Sequence, residues 1–89
     1  MAKKRERLEI IKDILNAIKL KREIKPTRLL YASNLSPQMF KEYVGELHQK
    51  ELIKEEFVKN KKFFVLTSKG NNFLEEYKSI ENFIKNFGL

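Results

Sequence analysis

The run Leu35-Ser36-Pro37-Gln38-Met39-Phe40 opens a helix. Ser36 is a good N-cap, because its hydroxyl can accept a hydrogen bond from an orphan N–H of the first turn. Pro37 then takes the first helical position, where its missing donor costs nothing and its fixed φ suits the helix. A helix beginning here runs to about Glu51 and buries Met39, Phe40, Tyr43, Val44 and Leu47, which recur three or four residues apart. Ahead of it, Thr27 can cap a short helix through Arg28, Leu29, Leu30, Tyr31 and Ala32. Ser33, Asn34 and Leu35 make the turn between the two helices, and the rest of the chain supports or extends this unit.

Working outward, residues 5–20 read as a first helix. Leu8, Ile11, Leu15 and Ile18 form its apolar stripe, widened by Ile14, and Ile10 falls outside it. Lys3, Lys4 and Arg5 precede this helix, either as a solvating tail or as an arm that contacts phosphate. Ile24, just before Pro26, can bridge to a sheet. Beyond the central helix, Phe57-Val58 and Phe63-Phe64-Val65-Leu66 flank the polar cluster Lys59-Asn60-Lys61-Lys62, which predicts a hairpin with a basic tip. With Asn60-Lys61 as its turn, Val58 pairs with Phe63 and Phe57 with Phe64. Thr67 can cap a last helix that runs to about Asn86, before Gly88. Along it Phe73, Tyr77, Ile80, Ile84 and Phe87 form a two-heptad seam, with Phe83 beside it. A small domain has little core left for so many large groups. The seam therefore either folds back on the domain or meets a second copy of the chain.

The chain has 89 residues, which makes one domain with one modest core, and 42% of them are apolar and 35% charged. It has no cysteine, which excludes disulfides and thiolate metal sites. No run is long and apolar enough to span a membrane, and the N-terminus lacks a signal-peptide core, so a cytoplasmic protein is expected. The formal net charge of +7 calls for an anionic partner, and nucleic acid is the usual one for a small basic domain. The charge is uneven. Residues 1–25 carry nine basic against four acidic side chains and residues 52–70 five against two, whereas residues 26–51 balance at three and three. The positive field belongs to the N-terminal segment and the hairpin rather than to the central helix. His48 is the one histidine and has no partner in the pattern, so nothing points to catalysis, a metal or a cofactor.

The order of elements is helix, short helix, turn, helix, hairpin, helix: mainly α with a small β-hairpin. In this it resembles the short archaeal winged helix-turn-helix DNA-binding proteins, including the chromatin-type dimers of crenarchaea. The resemblance is carried by Leu8-Glu9-Ile10-Ile11 with Ile14-Leu15, by the run Lys25 to Ser36 (KPTRLLYASNLS), by Tyr43 and Leu47, and by Phe64-Val65-Leu66-Thr67-Ser68-Lys69-Gly70. It implies a DNA-binding domain over residues 1–70 and a C-terminal dimerisation helix over 71–89, continuous with it. It also implies duplex DNA binding by a nucleoid-associated protein or transcriptional regulator, as a homodimer paired antiparallel through the last helix.

In such an arrangement the exposed face of the third helix enters the major groove. Here that face offers Ser36, Gln38, Lys41, Glu42, Gly45 and Gln49. Gln38 can pair with adenine, Lys41 can reach guanine or phosphate, and Glu42 can accept from cytosine. Gly45 is either neutral or kept for close approach. Thr27 and Arg28 are placed for phosphate, as are Lys59, Asn60, Lys61 and Lys62 on the wing and Lys3, Lys4 and Arg5 in the arm. The dimer seam would comprise Phe73, Tyr77, Ile80, Phe83, Ile84 and Phe87. No small-molecule ligand or membrane partner is expected. The rival reading is a winged helix that binds another protein, with Tyr43, Phe63 and the last helix at the contact.

Overall fold

Five aliphatic residues of the first helix, Ile10, Ile11, Ile14, Leu15 and Ile18, form the centre of the core. The computed structural model describes residues 5–88. Its elements are α1 (Arg7–Lys21), β1 (Glu23–Ile24), α2 (Pro26–Ser33), α3 (Pro37–Gln49), β2 (Ile53–Val58), β3 (Lys61–Leu66) and α4 (Ser68–Asn86). The strands form one antiparallel sheet in the order β1-β3-β2. This is the winged helix-turn-helix architecture expected from the sequence.

The stripe on α1 differs from the expected one. Ile10 is buried and Leu8 is 53% exposed. The rows Ile10-Ile14-Ile18 and Ile11-Leu15 face α2, α4 and β3 together, whereas Leu8 stands in the first turn at the border of that stripe. Arg22 then leaves the helix with φ 65, and Ile24 pairs with Phe64.

α2 starts one residue before Thr27. Pro26 is its first residue and Lys25 its extended N-cap, so Thr27 lies inside the helix and does not cap it. Leu29 and Ser33 are buried, and the Ser33 hydroxyl donates to the Leu30 carbonyl at 2.7 Å. Asn34 takes the left-handed conformation (φ 56) that an Asn tolerates, and this turns the chain towards α3.

At the start of α3 the Ser36 hydroxyl accepts from the Met39 N–H at 3.2 Å, and Pro37 is the first helical residue. Leu47 is buried while Phe40, Tyr43 and Val44 pack at the core edge, but Met39 is 42% exposed. Eight residues at about 100° each put Met39 roughly 80° around the helix from Leu47, off the inward face. The helix stops at Gln49, short of Glu51. Glu51 takes φ 62 and donates to the His48 carbonyl at 3.1 Å, and Leu52 donates to the Leu47 carbonyl at 2.9 Å. These two bonds form a Schellman motif with a glutamate where glycine is usual.

The hairpin register also differs from expectation. Val58 pairs with Lys61, Phe57 with Lys62, Glu56 with Phe63 and Glu55 with Phe64. The turn is Lys59-Asn60, both at positive φ (52 and 65), as a type I′ turn requires. A slip of two residues leaves every side chain on the same face, so the apolar pattern did not distinguish the two registers. The base of the hairpin does: Ile53 lies opposite Leu66, and the next residue, Thr67, donates its N–H to the Leu52 carbonyl at 3.2 Å.

Thr67 caps α4 as expected, its hydroxyl accepting from the Gly70 N–H at 3.0 Å. Leu74 reaches the core and Phe73 packs beside it. Beyond Tyr77 the large apolar side chains of the helix are exposed, although Glu81 still reaches Lys12 of α1.

Candidate nucleic-acid interface

The capped start and inward stripe of α3 leave one face to solvent. Gln38, Lys41, Glu42, Gly45 and Gln49 all lie on it and are all exposed, and none takes part in an ion pair among the described residues. A methyl group at Gly45 would meet nothing within 4 Å. The fold itself therefore does not require glycine there. Ser36 is exposed, but its oxygen is engaged as the cap. Thr27 and Arg28 are exposed in the first turn of α2, where unpaired backbone N–H groups favour an anion.

The candidate cations fall into three groups. Lys59 and Lys61 are exposed at the wing and make no ion pair among the described residues; Asn60 is exposed between them. Lys62 is held instead: its ammonium lies 2.7 Å from the Glu55 carboxylate and 5.2 Å from the Phe64 ring centre. Arg5 is also committed within the fold. Its guanidinium donates to Asp13 and to the Ser33 carbonyl, both at 2.8 Å, tying the N-terminal segment to α1 and to the end of α2. Lys3 and Lys4 lie outside the described residues.

A cluster that the sequence reading missed joins α1 to α3. The Glu46 carboxylate accepts from Arg7 and, at 2.8 Å, from Lys50, while the Arg7 guanidinium lies 5.7 Å from the Tyr43 ring centre. Hydrogen bonds from Lys50 and Arg7 hold the Glu46 carboxyl below its ordinary pKa. The Glu46–Lys50 spacing of four residues was a visible signal, whereas nothing in the sequence linked Arg7 to either residue.

An exposed apolar surface lies on α4. Ile80 (58%), Phe83 (65%), Ile84 (42%) and Phe87 (66%) are exposed, and the Phe83 and Phe87 rings lie 4.9 Å apart. Phe73 and Tyr77, 6.0 Å apart, are half-buried against the domain. Lys12 of α1 sits 5.6 Å from the Tyr77 ring centre and 3.4 Å from Glu81. Burial, and then the Glu81 charge, raise the Tyr77 phenol above its ordinary pKa. Among the described residues no His, Cys, Asp and Glu cluster could hold a metal, and no helix is long and apolar enough to cross a membrane.

A model of the winged helix-turn-helix family matches residues 4–85. An uncharacterized protein of Methanocaldococcus jannaschii is 38% identical over 77 residues, which cover 86% of this chain and 34% of that protein. The chain thus spans about a third of the length of the curated relative it matches. Among solved structures, the DNA-binding protein Sso10a-2 from Sulfolobus solfataricus superposes with a TM-score of 0.75 at 19% identity, over 93% of this chain and 85% of that one. A MarR family transcriptional regulator from Silicibacter pomeroyi also gives 0.75 at 19% identity, over 85% of this chain and 52% of that one. A winged-helix DNA-binding protein from STIV gives 0.69 at 18% identity, over 86% of this chain and 90% of that one. At these identities the likeness is one of fold.

Proposed function

Because the chain belongs to the winged helix-turn-helix family, we propose that it binds double-stranded DNA as a homodimer, with α3 in the major groove and the wing on the adjacent backbone. The observation that carries this reading is the outward face of α3: five neighbouring side-chain positions are exposed and, among the described residues, free of ion pairs, while the opposite face builds the core. Gln38, Lys41, Glu42 and Gln49 are its base-edge candidates, and Gly45 lets the backbone come close. The N-terminus of α2, with Thr27 and Arg28, and the wing residues Lys59, Asn60 and Lys61 supply phosphate contacts, with Lys3 and Lys4 as an arm. Lys62 and Arg5 contribute less, because each already has a partner within the fold. The protein acts in the cytoplasm, as a transcriptional regulator or as a component of the nucleoid, without a cofactor.

The dimer uses the exposed end of α4. An antiparallel pairing centred on Ile80 sets Phe73 opposite Phe87 and Tyr77 opposite Phe83. A parallel pairing would put Glu76 of one copy beside Glu81 of the other along the edge of the seam, which costs stability. The charge pattern therefore favours the antiparallel arrangement.

The test is an anisotropy titration against a mixed-sequence duplex at two salt concentrations, with a Lys59→Ala, Lys61→Ala, Lys62→Ala variant alongside. With roughly 3–5 phosphates neutralised per subunit, log K should fall against log salt with a slope of about −3 to −5 per subunit, and the variant should be shallower. Absence of binding at low salt would overturn the reading in favour of a protein-binding winged helix.

A further inference from the structure

The tip of the wing carries more than charge. Phe57 is 68% exposed and Val58 is 47% exposed, and neither joins the core cluster. As successive strand residues they project from opposite faces of the hairpin, Phe57 beside Lys62 and Val58 beside Lys61. At about 3.3 Å per residue Val58 stands roughly 17 Å beyond Ile53, the buried residue at the base of the strand. The tip therefore has at its end Lys59 and Lys61, which make no ion pair among the described residues, and an apolar side chain on each face.

Its thickness decides what it can enter. A strand with side chains on both faces occupies about 10 Å, the spacing at which sheets pack, whereas the B-DNA minor groove is about 6 Å wide. The lysines draw the tip to phosphate, but the apolar flanks reach the sugars only where the groove opens. A-tracts are stiff and narrow, whereas pyrimidine–purine steps such as TpA deform easily.

We propose that Phe57 and Val58 make the wing a gauge of minor-groove width, one that seats at deformable steps and is excluded from narrow A-tracts. This rests on the DNA-binding reading above and adds a source of sequence preference that needs no base contact. Apolar side chains pressed into a widened minor groove are an established way of selecting deformable DNA.

The test compares two duplexes of equal length, one of oligo(dA)·oligo(dT) and one of alternating dA-dT. Both present only adenine N3 and thymine O2 in the minor groove, so they match there in chemistry and differ in shape. The protein should bind the alternating duplex more tightly by about fivefold or more. A Phe57→Ser, Val58→Ser variant should bring that ratio close to one. Its thermal unfolding should be unchanged, because neither side chain supports the core, and Phe57→Ser alone should give an intermediate ratio.

Equal affinities for the two duplexes, or a preference that survives in the double variant, would overturn the proposal. So would a loss of self-association in the double variant at an unchanged ratio, which would assign the two residues to a contact between copies. Binding to neither duplex would overturn the DNA-binding reading itself, and the gauge with it.

Discussion

Gly70 lies so close to the carbonyl group of Leu52 that no side chain fits between them. A Cβ at Gly70 would overlap the Leu52 oxygen, and would stand 3.1 Å from the carbonyl carbon and 3.3 Å from Leu66 Cδ2. The same Leu52 oxygen accepts from the Thr67 N–H at 3.2 Å, and the Thr67 hydroxyl donates to the Glu51 carbonyl at 2.6 Å. One junction thus joins the end of α3, the base of the wing and the start of α4. Gly70→Ala should destabilise the domain by about 1–3 kcal/mol, because a backbone carbonyl cannot yield as a side chain does. Urea unfolding followed by circular dichroism measures this, and a midpoint equal to that of the natural protein would refute it.

Glu51 sits at φ 62 in the Schellman turn after α3, a conformation that L-residues with a Cβ resist. Its side chain is exposed and makes no ion pair among the described residues. Glu51→Gly should stabilise the protein by about 0.5–1 kcal/mol, the relief of strain exceeding the entropy cost of glycine. A lower melting temperature would contradict this account of the turn.

Gly45 separates fold from function. With open space around it, Gly45→Ala should raise stability by up to about 1 kcal/mol through helix propensity alone. The same methyl should weaken DNA binding at least about fivefold if the α3 backbone approaches the groove there. Melting temperature and anisotropy should therefore move in opposite senses, and unchanged affinity would remove Gly45 from the interface.

Glu46 makes the fold sensitive to acid. Its carboxyl is held below the ordinary range of a glutamate by Lys50 and Arg7, so its contribution is present above the unfolded value and is lost as the pH falls through the lower folded value. Glu46→Gln should reduce stability at neutral pH, and the gap between variant and natural protein should close in acid, as the pH falls below the ordinary glutamate range and through the lower folded value. Melting curves across that range test the sign; a gap that widened in acid would contradict it.

Ile80 is 58% exposed at the centre of the proposed α4 pairing. Ile80→Glu should convert a dimer into a monomer in sedimentation velocity, with the winged-helix domain still folded. A dimer that persists in Ile80→Glu would contradict this pairing.

The sequence alone determined the order of the elements and the caps of α3 and α4. Ser36 with Pro37, Thr67 as a cap, and the apolar spacing of Phe40, Tyr43, Val44 and Leu47 act over one or two helical turns, a range that the sequence displays directly. The outward face of α3 was legible for the same reason: once the buried stripe is known, the rest of the helix faces away.

Tertiary structure decided what depends on contacts between distant parts of the chain. Whether Ile10 or Leu8 joined the core depended on where α2, β3 and α4 meet α1. The hairpin register was set at Ile53, Leu66 and Thr67 rather than at the tip, because a two-residue slip preserves the faces and leaves the local pattern uninformative. Which cations stay free was decided in the same way. Arg5 and Lys62 look like their neighbours in the sequence, yet Asp13, the Ser33 carbonyl and Glu55 hold them, because electrostatic partners are chosen by distance in space and not along the chain.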